Sequence, residues 1–430
     1  MNLRLRHPDS LQPPREVCNA RDHGLAGDAV TNDQPALAAL VERLGKLYAA
    51  DGLPRVIYCP PGAYLIADES TLWRSGVSLV GASAGATRFL LCNQGTRKSV
   101  ALVTFTEHQH GASRRNHLAD CAFQSFEIDG SRVALDKYDP QAKGLGLQYM
   151  VRATFHDLYI HDTAATGLGC DYLQDSVISD VFAVNCGRLN DGGQPGGAGI
   201  GIGIGGWGAI ERTNISDCIA HGNATNGIFV ELQQGKWPPP RGIKILGCHC
   251  TGNRYGISDW GADGLIVADC VMLENLNAGY DVSQRGTSSV AGRGGVVSGC
   301  IMDGNLEDGV RIDGTLGPYT IRGSRISNNG GCGYRHFVLK PEEEAPREIV
   351  LEGNDIFLNG ADGVRFEREV IDACLSGNRI RNNGRQSGAA AGIACCAPMR
   401  GLWLQGNRIW DSQERPTQTH ETRELGENAA

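Results

Sequence analysis

GGVVSGCIMDGNLEDGVRIDG, residues Gly294–Gly314, is the stretch of this chain that decides its fold. A short apolar run leads to Cys300 and then to a turn at Asn305, and a second strand with alternating apolar residues begins after Gly309. Short apolar runs separated by Asn and Gly predict short strands joined by tight turns.

The same pattern recurs along the chain. Further copies begin at Asn214, Ile243, Leu265, Tyr319, Ile349 and Ala373. When the copies are aligned, one position holds a column of similar residues, Cys218, Cys248, Cys270, Cys300, Ser324, Asn354 and Asn378. A period of roughly 22 to 30 residues, with no room for helices, is typical of a parallel β-helix. Each coil then buries its apolar face against neighbouring coils about 4.8 Å away.

The predicted fold class is all-β, a single-domain parallel β-helix or solenoid over residues 17–411, because a solenoid grows by adding coils. A capping helix is predicted at 33–50, with Thr31, Asn32 or Asp33 as its N-cap and Gly52 as its end. This helix covers the open end of the solenoid. Residues 1–16 are predicted to form a polar N-terminal arm, and 412–430 a polar C-terminal tail.

Composition excludes several classes of partner. The net charge of −8 provides no basic surface for nucleic acid. The N-terminus has no apolar run that could form a signal-peptide core, and no segment reaches the length of a membrane span, so the sequence predicts a cytoplasmic chain without a membrane partner. Cysteines on adjacent coils could be close enough for disulfides, but without an export signal the fifteen cysteines are predicted to be reduced, buried thiols. Their spacing does not resemble that of a zinc site, and the sequence predicts no metal site and no cofactor.

The N-terminal part of the chain contains four further motifs, HGLAGD (His23–Asp28), NDQPAL (Asn32–Leu37), PPGAY (Pro60–Tyr64) and VGASAGAT (Val80–Thr87). Together they resemble the entry region of the pectate-lyase-like β-helix superfamily. The resemblance implies a right-handed coil, as the general rule for parallel crossovers also does. Because β-helices of this superfamily often form trimers, it also leaves open a homo-oligomer such as a trimer.

Two further segments, FEIDGSR (Phe126–Arg132) and the coil Val151–Gly187, resemble the catalytic module of mannuronan C5-epimerases and polysaccharide lyases. Asp171 falls on the catalytic aspartate of that family. The positions of the family's tyrosine and histidine hold Leu168 and Leu173, and the position of its second acid holds Gly203.

Side chains alternate along a strand, so the second and fourth residues after each turn glycine are predicted to point outward. The second-position column reads Gly146, Gly169, Gly201, Phe229, Ser258, Asp281, Arg311, Arg335 and Arg365. The fourth-position column reads Gln148, Asp171, Gly203, Glu231, Trp260, Ser283, Asp313, Phe337 and Glu367. Gly169, Gly201 and Gly203 are predicted to leave a bare groove floor for a sugar.

The candidate catalytic residues are Asp171, Glu231, Lys137 and Tyr172. Asp171 and Glu231 are two coils apart, which predicts a Cα separation of about 9 to 10 Å. A cation that neutralises a uronate carboxylate could come from Arg132, Lys137 or Lys143, and Tyr172, His156, His161 or Lys137 could transfer a proton. The candidate residues for substrate binding are Arg132, Gln148, Trp207, Trp237, Trp260, Asp281, Arg311, Asp313 and Arg335. Trp207 and Trp237 lie on loops and could serve as stacking platforms for sugar rings or as lids.

The sequence therefore predicts an enzyme that acts on a poly- or oligosaccharide, of the lyase or C5-epimerase type. One alternative is an inverting glycoside hydrolase or glycosyl transferase that uses Asp171 and Glu231. The other is a non-catalytic carbohydrate-binding or tailspike-like β-helix, on whose face acids and arginines pair across coils.

Overall fold

The computed structural model describes residues 16–188, 196–283, 294–313, 317–337, 348–386 and 390–410. The chain divides into two compact units. The first contains the residues up to Trp207 with Glu211–Ile219 and Asn223–Thr225, and the second contains Gly208–Ile210, Ala220–Gly222 and the residues from Asn226 onward. A single domain therefore stays a prediction. Apart from residue 16, the predicted polar arm and tail lie outside the described residues.

The helices of the described ranges are α1 (Gln34–Asp51), the four-residue α2 (Glu107–His110) and a 3-10 turn at Ala20–His23. The predicted capping helix is α1, which packs against the first strands through buried Leu37, Leu40, Val41 and Leu44. Gly52 ends it with a left-handed φ of 72°. Asp33 stands at the N-cap, but its carboxylate accepts backbone N–H groups of Ala26, Gly27 and Leu65 instead. None of these helices has the length and apolar composition needed to cross a bilayer.

The first strands, in chain order, are β1 (Glu16–Asn19), β2 (Asp28–Asn32), β3 (Arg55–Cys59), β4 (Gly62–Ala67), β5 (Thr71–Leu72), β6 (Val77–Gly81), β7 (Thr87–Cys92), β8 (Val103–Phe105), β9 (Leu118–Ala119), β10 (Ala122–Arg132), β11 (Leu145–Val151), β12 (Thr154–His161), β13 (Leu168–Gln174), β14 (Ser176–Val184), β15 (Ile200–Ile204) and β16 (Ile210–Ser216).

The later strands are β17 (Ile219–His221), β18 (Asn226–Leu232), β19 (Arg241–Leu246), β20 (His249–Thr251), β21 (Tyr255–Trp260), β22 (Leu265–Ala268), β23 (Val271–Leu273), β24 (Tyr280–Val282), β25 (Gly295–Ser298), β26 (Ile301–Asp303), β27 (Val310–Asp313), β28 (Tyr319–Arg322), β29 (Arg325–Ser327), β30 (Tyr334–Phe337), β31 (Ile349–Glu352), β32 (Asp355–Phe357), β33 (Val364–Phe366), β34 (Val370–Ser376), β35 (Arg379–Arg381), β36 (Ile393–Cys395), β37 (Met399–Gln405) and β38 (Arg408–Trp410).

The first unit is built from parallel strands that stack coil on coil. One stack pairs β3, β6, β10, β12 and β14 in that order. A second stack pairs β5, β8, β11, β13 and β15. Alternate side chains point into the coil, where the rings of Phe123 and Phe155 stack 5.4 Å apart. The second stack carries the candidate site.

The second unit repeats a three-strand coil. Its stacks are β19-β22-β25-β28-β31-β34-β37, β20-β23-β26-β29-β32-β35-β38 and β18-β21-β24-β27-β30-β33-β36. The stretch Gly294–Gly314 supplies β25, β26 and β27, one strand to each stack. Strand register aligns Asp281, Arg311, Arg335 and Arg365, which confirms that part of the predicted second-position column.

Hydrogen-bonded ladders of polar side chains run between the coils. The backbone N–H of Cys300 donates to Ser324 Oγ (3.2 Å), and that of Ser324 donates to Asn354 Oδ1 (3.0 Å), as the predicted column of similar residues requires. In a second ladder each side-chain amide donates to the next, through Asn253, Asn275, Asn305, Asn329, Asn359 and Asn383. The turns thereby satisfy their buried polar groups from coil to coil.

All fifteen cysteines lie within the described ranges, and none forms a disulfide. Eleven are buried, Cys92 and Cys374 are partly buried, and Cys395 and Cys396 are exposed. The prediction of reduced thiols that pack as small apolar residues is confirmed for the buried ones.

Two polar residues, Asp259 and His336, are fully buried in the second unit. The carboxylate of Asp259 accepts the Tyr319 hydroxyl at 2.6 Å and the backbone N–H groups of Gly261 and Ala262. The His336 ring is fully buried and has no hydrogen-bond partner among the described residues. Burial lowers the His336 pKa from 6.5 to about 3.

Replacing Asp259 with asparagine is expected to stabilise the second unit at pH 7 by about 3 kcal/mol. Burial raises the Asp259 pKa from 3.8 to about 6. Below pH 3.8 the carboxyl group is protonated in both the folded and the unfolded chain, and its burial costs no ionisation energy. As the pH rises through 6 the buried group must ionise, which lowers the free energy of unfolding. The gain should therefore largely disappear at pH 4. Urea unfolding at both pH values measures it. Asp263→Asn, which removes a surface partner of Arg241, is the control, and an equal gain for Asp259→Asn at both pH values would contradict the argument.

Candidate functional site

The Asp171 carboxylate is the centre of the candidate site in the first unit. Asp171 lies on β13, on the outward side of a strand whose neighbours Cys170 and Leu168 are fully buried. Gln148 Nε2 donates to Oδ2 at 3.0 Å, and the backbone N–H of Gly203 donates to Oδ1 at 2.9 Å. Register confirms that Gln148 and Asp171 are neighbours across β11 and β13. These donors hold the carboxylate in one orientation.

Lys143 supplies a positive charge to the same carboxylate. Its Nζ lies 3.7 Å from Asp171 Oδ2, and its side chain is 15% exposed. Burial lowers the Lys143 pKa, but the negative charge of Asp171 and other neighbours outweigh it, so the pKa is raised overall. The lysine therefore keeps its proton at neutral pH.

The glycines beside Asp171 make room for these side chains. A Cβ on Gly169 would lie 2.3 Å from Lys143 Cδ, and a Cβ on Gly203 would lie 2.6 Å from Asp171 Oδ1. A Cβ on Gly201 would lie 3.2 Å from Thr166 Cγ2. The expectation of a bare groove floor is therefore wrong at Gly169 and Gly203, where the space is filled by Lys143 and Asp171.

Aromatic rings form one side of the site. The ring centroids of Tyr149 and Tyr172 are 4.5 Å apart. The Trp207 ring meets those of Tyr149 and His117 edge to face, with centroid distances of 5.8 and 5.3 Å. Trp207 Nε1 donates to the Tyr172 carbonyl at 2.7 Å, so the indole packs back on the coil while staying partly exposed. Burial is the main cause that raises the Tyr172 pKa, which keeps this phenol protonated.

Glu211, at the start of β16, was not predicted from the sequence. Its Oε1 accepts the backbone N–H groups of Gly205 (3.0 Å) and Trp207 (2.8 Å), and this fixes the turn that carries Trp207. Burial raises the Glu211 pKa from 4.5 to about 7. Glu211 alternates with Thr213 and Ile215 among the buried residues of β16. Because such inward positions are normally apolar, an acid at one of them is the sequence signal that could have identified Glu211.

Two other predicted residues of the first unit, Arg132 and Lys137, do not pair with this carboxylate. Arg132 is exposed at the end of β10, and Lys137 is exposed in the segment before β11. Neither forms a hydrogen bond or ion pair with Asp171 in the part of the chain that the structure describes. Of the three cations named from the sequence, the structure brings Lys143 to Asp171.

The remaining predicted residues lie in the second unit, where several pair with each other. Arg311 forms an ion pair with Asp281 at 2.9 Å, donates to the Tyr255 hydroxyl and lies over the rings of Tyr255 and Phe337. Burial lowers the pKa of Arg311, but the charges and hydrogen bonds of Asp281 and Tyr255 together outweigh burial and raise the pKa overall. This buried network favours the alternative in which outward acids and arginines pair across coils.

The other members of the set in the second unit have diverse surroundings. Trp260 Nε1 donates to Asp281 at 3.3 Å, and Arg335 pairs with Glu367 at 3.2 Å. Asp313 is buried, Trp237 is partly buried, and Glu231 accepts Gln233 Nε2 at 3.0 Å. Because Glu231 and Asp171 belong to different units, their predicted separation stays a prediction.

One group in the first unit has the composition of a metal site. The ligand atoms of Glu127, Asp129 and His161 all lie within 4.8 Å of one another. Arg88 Nε lies 2.7 Å from Glu127 Oε1, however, and Arg88 Nη2 lies 3.3 Å from Asp129 Oδ2. A guanidinium thus already supplies positive charge to both carboxylates, and the absence of a metal or cofactor stays a prediction.

Comparison with known proteins identifies related sequences and folds. Residues 17–253 match the model of the family described as rhamnogalacturonase A/epimerase, pectate lyase-like, and residues 239–336 match a right-handed beta helix region. The mannuronan C5-epimerase AlgE3 of Azotobacter vinelandii is 27% identical over 199 residues, which cover 39% of this chain. The match spans only 10% of the length of that relative.

Two solved structures share the fold. The A-module of the mannuronan C5-epimerase AlgE4 of Azotobacter vinelandii has a TM-score of 0.58 at 16% identity, covering 91% of this chain and 96% of that chain. The catalytic unit of an α-1,3-glucanase from Streptomyces thermodiastaticus has a TM-score of 0.67 at 14% identity, covering 93% and 70%. The predicted all-β, right-handed β-helix is confirmed.

Proposed function

Because the chain belongs to the rhamnogalacturonase A/epimerase, pectate lyase-like family, a carbohydrate-active β-helix family, we propose that it acts on a poly- or oligosaccharide as a lyase or C5-epimerase. The reaction takes place at Asp171. The substrate carries uronate residues, because both reactions begin by removing the proton at C5, next to the carboxylate of such a sugar.

One observation carries this proposal. The Lys143–Asp171 ion pair lies largely buried on the outward side of a coil, where the fold itself requires no charge. Burying an ion pair is expensive unless its geometry is well supported, and here Gln148 and Gly203 provide that support. Oriented, partly desolvated charges of this kind are typical of functional sites.

The protonation states assign a role to each side chain. Lys143 and Tyr172 have raised pKa values and hold their protons at neutral pH, so the acceptor for the C5 proton is the Asp171 carboxylate. The Lys143 ammonium stabilises the negative charge that develops as the proton leaves. Tyr172 then returns a proton to C5 in an epimerase, or protonates the leaving oxygen in a lyase.

A second candidate function, glycoside hydrolysis or glycosyl transfer, is favoured by Glu211. A pKa of about 7 keeps much of this carboxyl protonated at neutral pH, as the general acid of a glycosidase requires, while Asp171 is held beside a lysine. Two carboxyl groups in contrasting environments are the usual basis for acid and base roles. In this version Glu211 takes the place that the sequence assigned to Glu231.

Incubation with polyuronates in deuterated water distinguishes these functions. A lyase or epimerase is expected to place deuterium at C5, or to form an unsaturated end that absorbs in the ultraviolet, and proton NMR detects both. A hydrolase is expected to release saturated reducing ends without deuterium at C5. Binding without either product would favour the non-catalytic alternative, and a neutral glucan serves as the control substrate.

A further inference from the structure

Arg114 presents unused hydrogen-bond donors close to the candidate site. It lies between α2 and β9 in the first unit, and its Nε donates to the Gly206 carbonyl. The two terminal amino groups make no hydrogen bond or ion pair with any residue of the described ranges, and the side chain is exposed. The Nε of the guanidinium is therefore anchored at Gly206, and the two terminal amino groups are available to a ligand.

The anchor places this charge on the turn that supports Asp171. Gly206 is three residues beyond Gly203, whose N–H binds Asp171, so the two backbone positions are at most about 10 Å apart. Trp207 follows directly and packs against His117, whose Nδ1 lies 3.0 Å from the Arg114 carbonyl. The Arg114 guanidinium and the partly exposed Trp207 indole therefore lie next to each other, on the turn that follows Gly203.

Among the described residues no acid forms an ion pair with Arg114. Glu211, on the strand β16 that follows this turn, directs Oε1 to the backbone N–H groups of Gly205 and Trp207 instead. Its raised pKa of about 7 reduces the negative charge it carries at neutral pH. Arg114 also lies close enough to Tyr149 to lower the pKa of that phenol, although burial raises it overall.

We infer that Arg114 pairs with a carboxylate of the saccharide, on a sugar residue next to the one that reacts at Asp171, while Trp207 contacts the sugar ring. The inference rests on the proposed function and names the feature of the substrate that this residue selects. A guanidinium fork matches a carboxylate with two parallel hydrogen bonds. A polyuronate carries a carboxylate on every residue, so a second cation beside the centre favours acidic over neutral chains.

Binding measurements test this assignment separately from turnover. We would titrate the Asp171→Asn chain with a short oligouronate, and with the same oligosaccharide after reduction of its carboxylates, by calorimetry. Adding Arg114→Gln is expected to weaken oligouronate binding roughly ten- to hundredfold and to leave binding of the reduced sugar unchanged. Arg115→Gln, at the exposed neighbouring arginine, is the matched control and should change neither.

Two further results keep the test decisive. Arg114→Lys, which retains the charge, should recover part of the oligouronate affinity, and thermal melting should show that the variants are folded. Equal loss for both sugars would overturn the inference, because it would indicate a structural role for Arg114. Unchanged oligouronate binding in the Arg114→Gln variant would also overturn the inference about Arg114, while C5 exchange by the unsubstituted chain would still uphold the proposed function. If the unsubstituted chain bound no oligouronate, the inference and the proposed function would both fail.

Discussion

Asp171→Asn is expected to lower the rate of C5 proton exchange by about 10²–10⁴-fold while the chain remains folded. The amide can still accept the N–H of Gly203 through its oxygen, so the local backbone should keep its place. It cannot accept the C5 proton, and it has no charge to offer Lys143. The measurement is deuterium incorporation into a polyuronate, with thermal melting to confirm folding.

The control for this change is Asp180→Asn on β14 of the same unit. Asp180 is exposed and pairs with His156 at 3.2 Å, so its loss should leave the exchange rate nearly unchanged. If Asp171→Asn retained full activity, Asp171 would be excluded as the proton acceptor. If it abolished oligosaccharide binding as well, the aspartate would be acting in binding rather than in proton transfer.

Gly169→Ala is expected to reduce activity by about 10²-fold with little effect on stability. The new methyl group would lie 2.3 to 2.8 Å from the end of the Lys143 side chain, which is flexible and can move away. The ammonium would then leave the Asp171 carboxylate, and the charge that stabilises the reaction would be lost. Steady-state exchange rates and the thermal midpoint measure the two effects.

Gly146→Ala provides a matched comparison, because Gly146 and Gly169 pair in register on β11 and β13. A Cβ at Gly146 would meet its nearest atom at 3.7 Å, an ordinary contact distance. This variant should keep its activity. Equal losses in the two variants would show that the effect arises from the strands in general and not from Lys143.

The fold was predictable because its information is local and repeated. A copy such as Gly294–Gly314 contains its own strands and turns, and the register of similar residues follows from aligning copies. Alternation along each strand then predicted which residues share a face, and the pairing of Gln148 with Asp171 follows from that rule.

The site was predictable only where it follows the repeat. Asp171 lies in a regular column, whereas Lys143 reaches the carboxylate from a segment outside the strands. Arg114 binds Gly206 across 92 residues of sequence, and no periodic pattern connects the two. The sequence predicts open space at Gly169 and Gly203 because it shows that these residues lack side chains. It does not show that Lys143 and Asp171 fill the space.

The asparagine ladder of the second unit also bears on how such a chain changes over evolutionary time. An asparagine inside the ladder, such as Asn305, accepts the backbone N–H and the side-chain amide of Asn275 on one neighbouring coil and donates the same two groups to Asn329 on the other. Duplicating or deleting one whole coil therefore regenerates the same contacts at the new junction, whereas inserting one residue inside a strand turns its apolar side chains outward. Natural variants should accordingly differ in length by complete repeats, and the number of coils is a trait that can drift without a redesign of the interior.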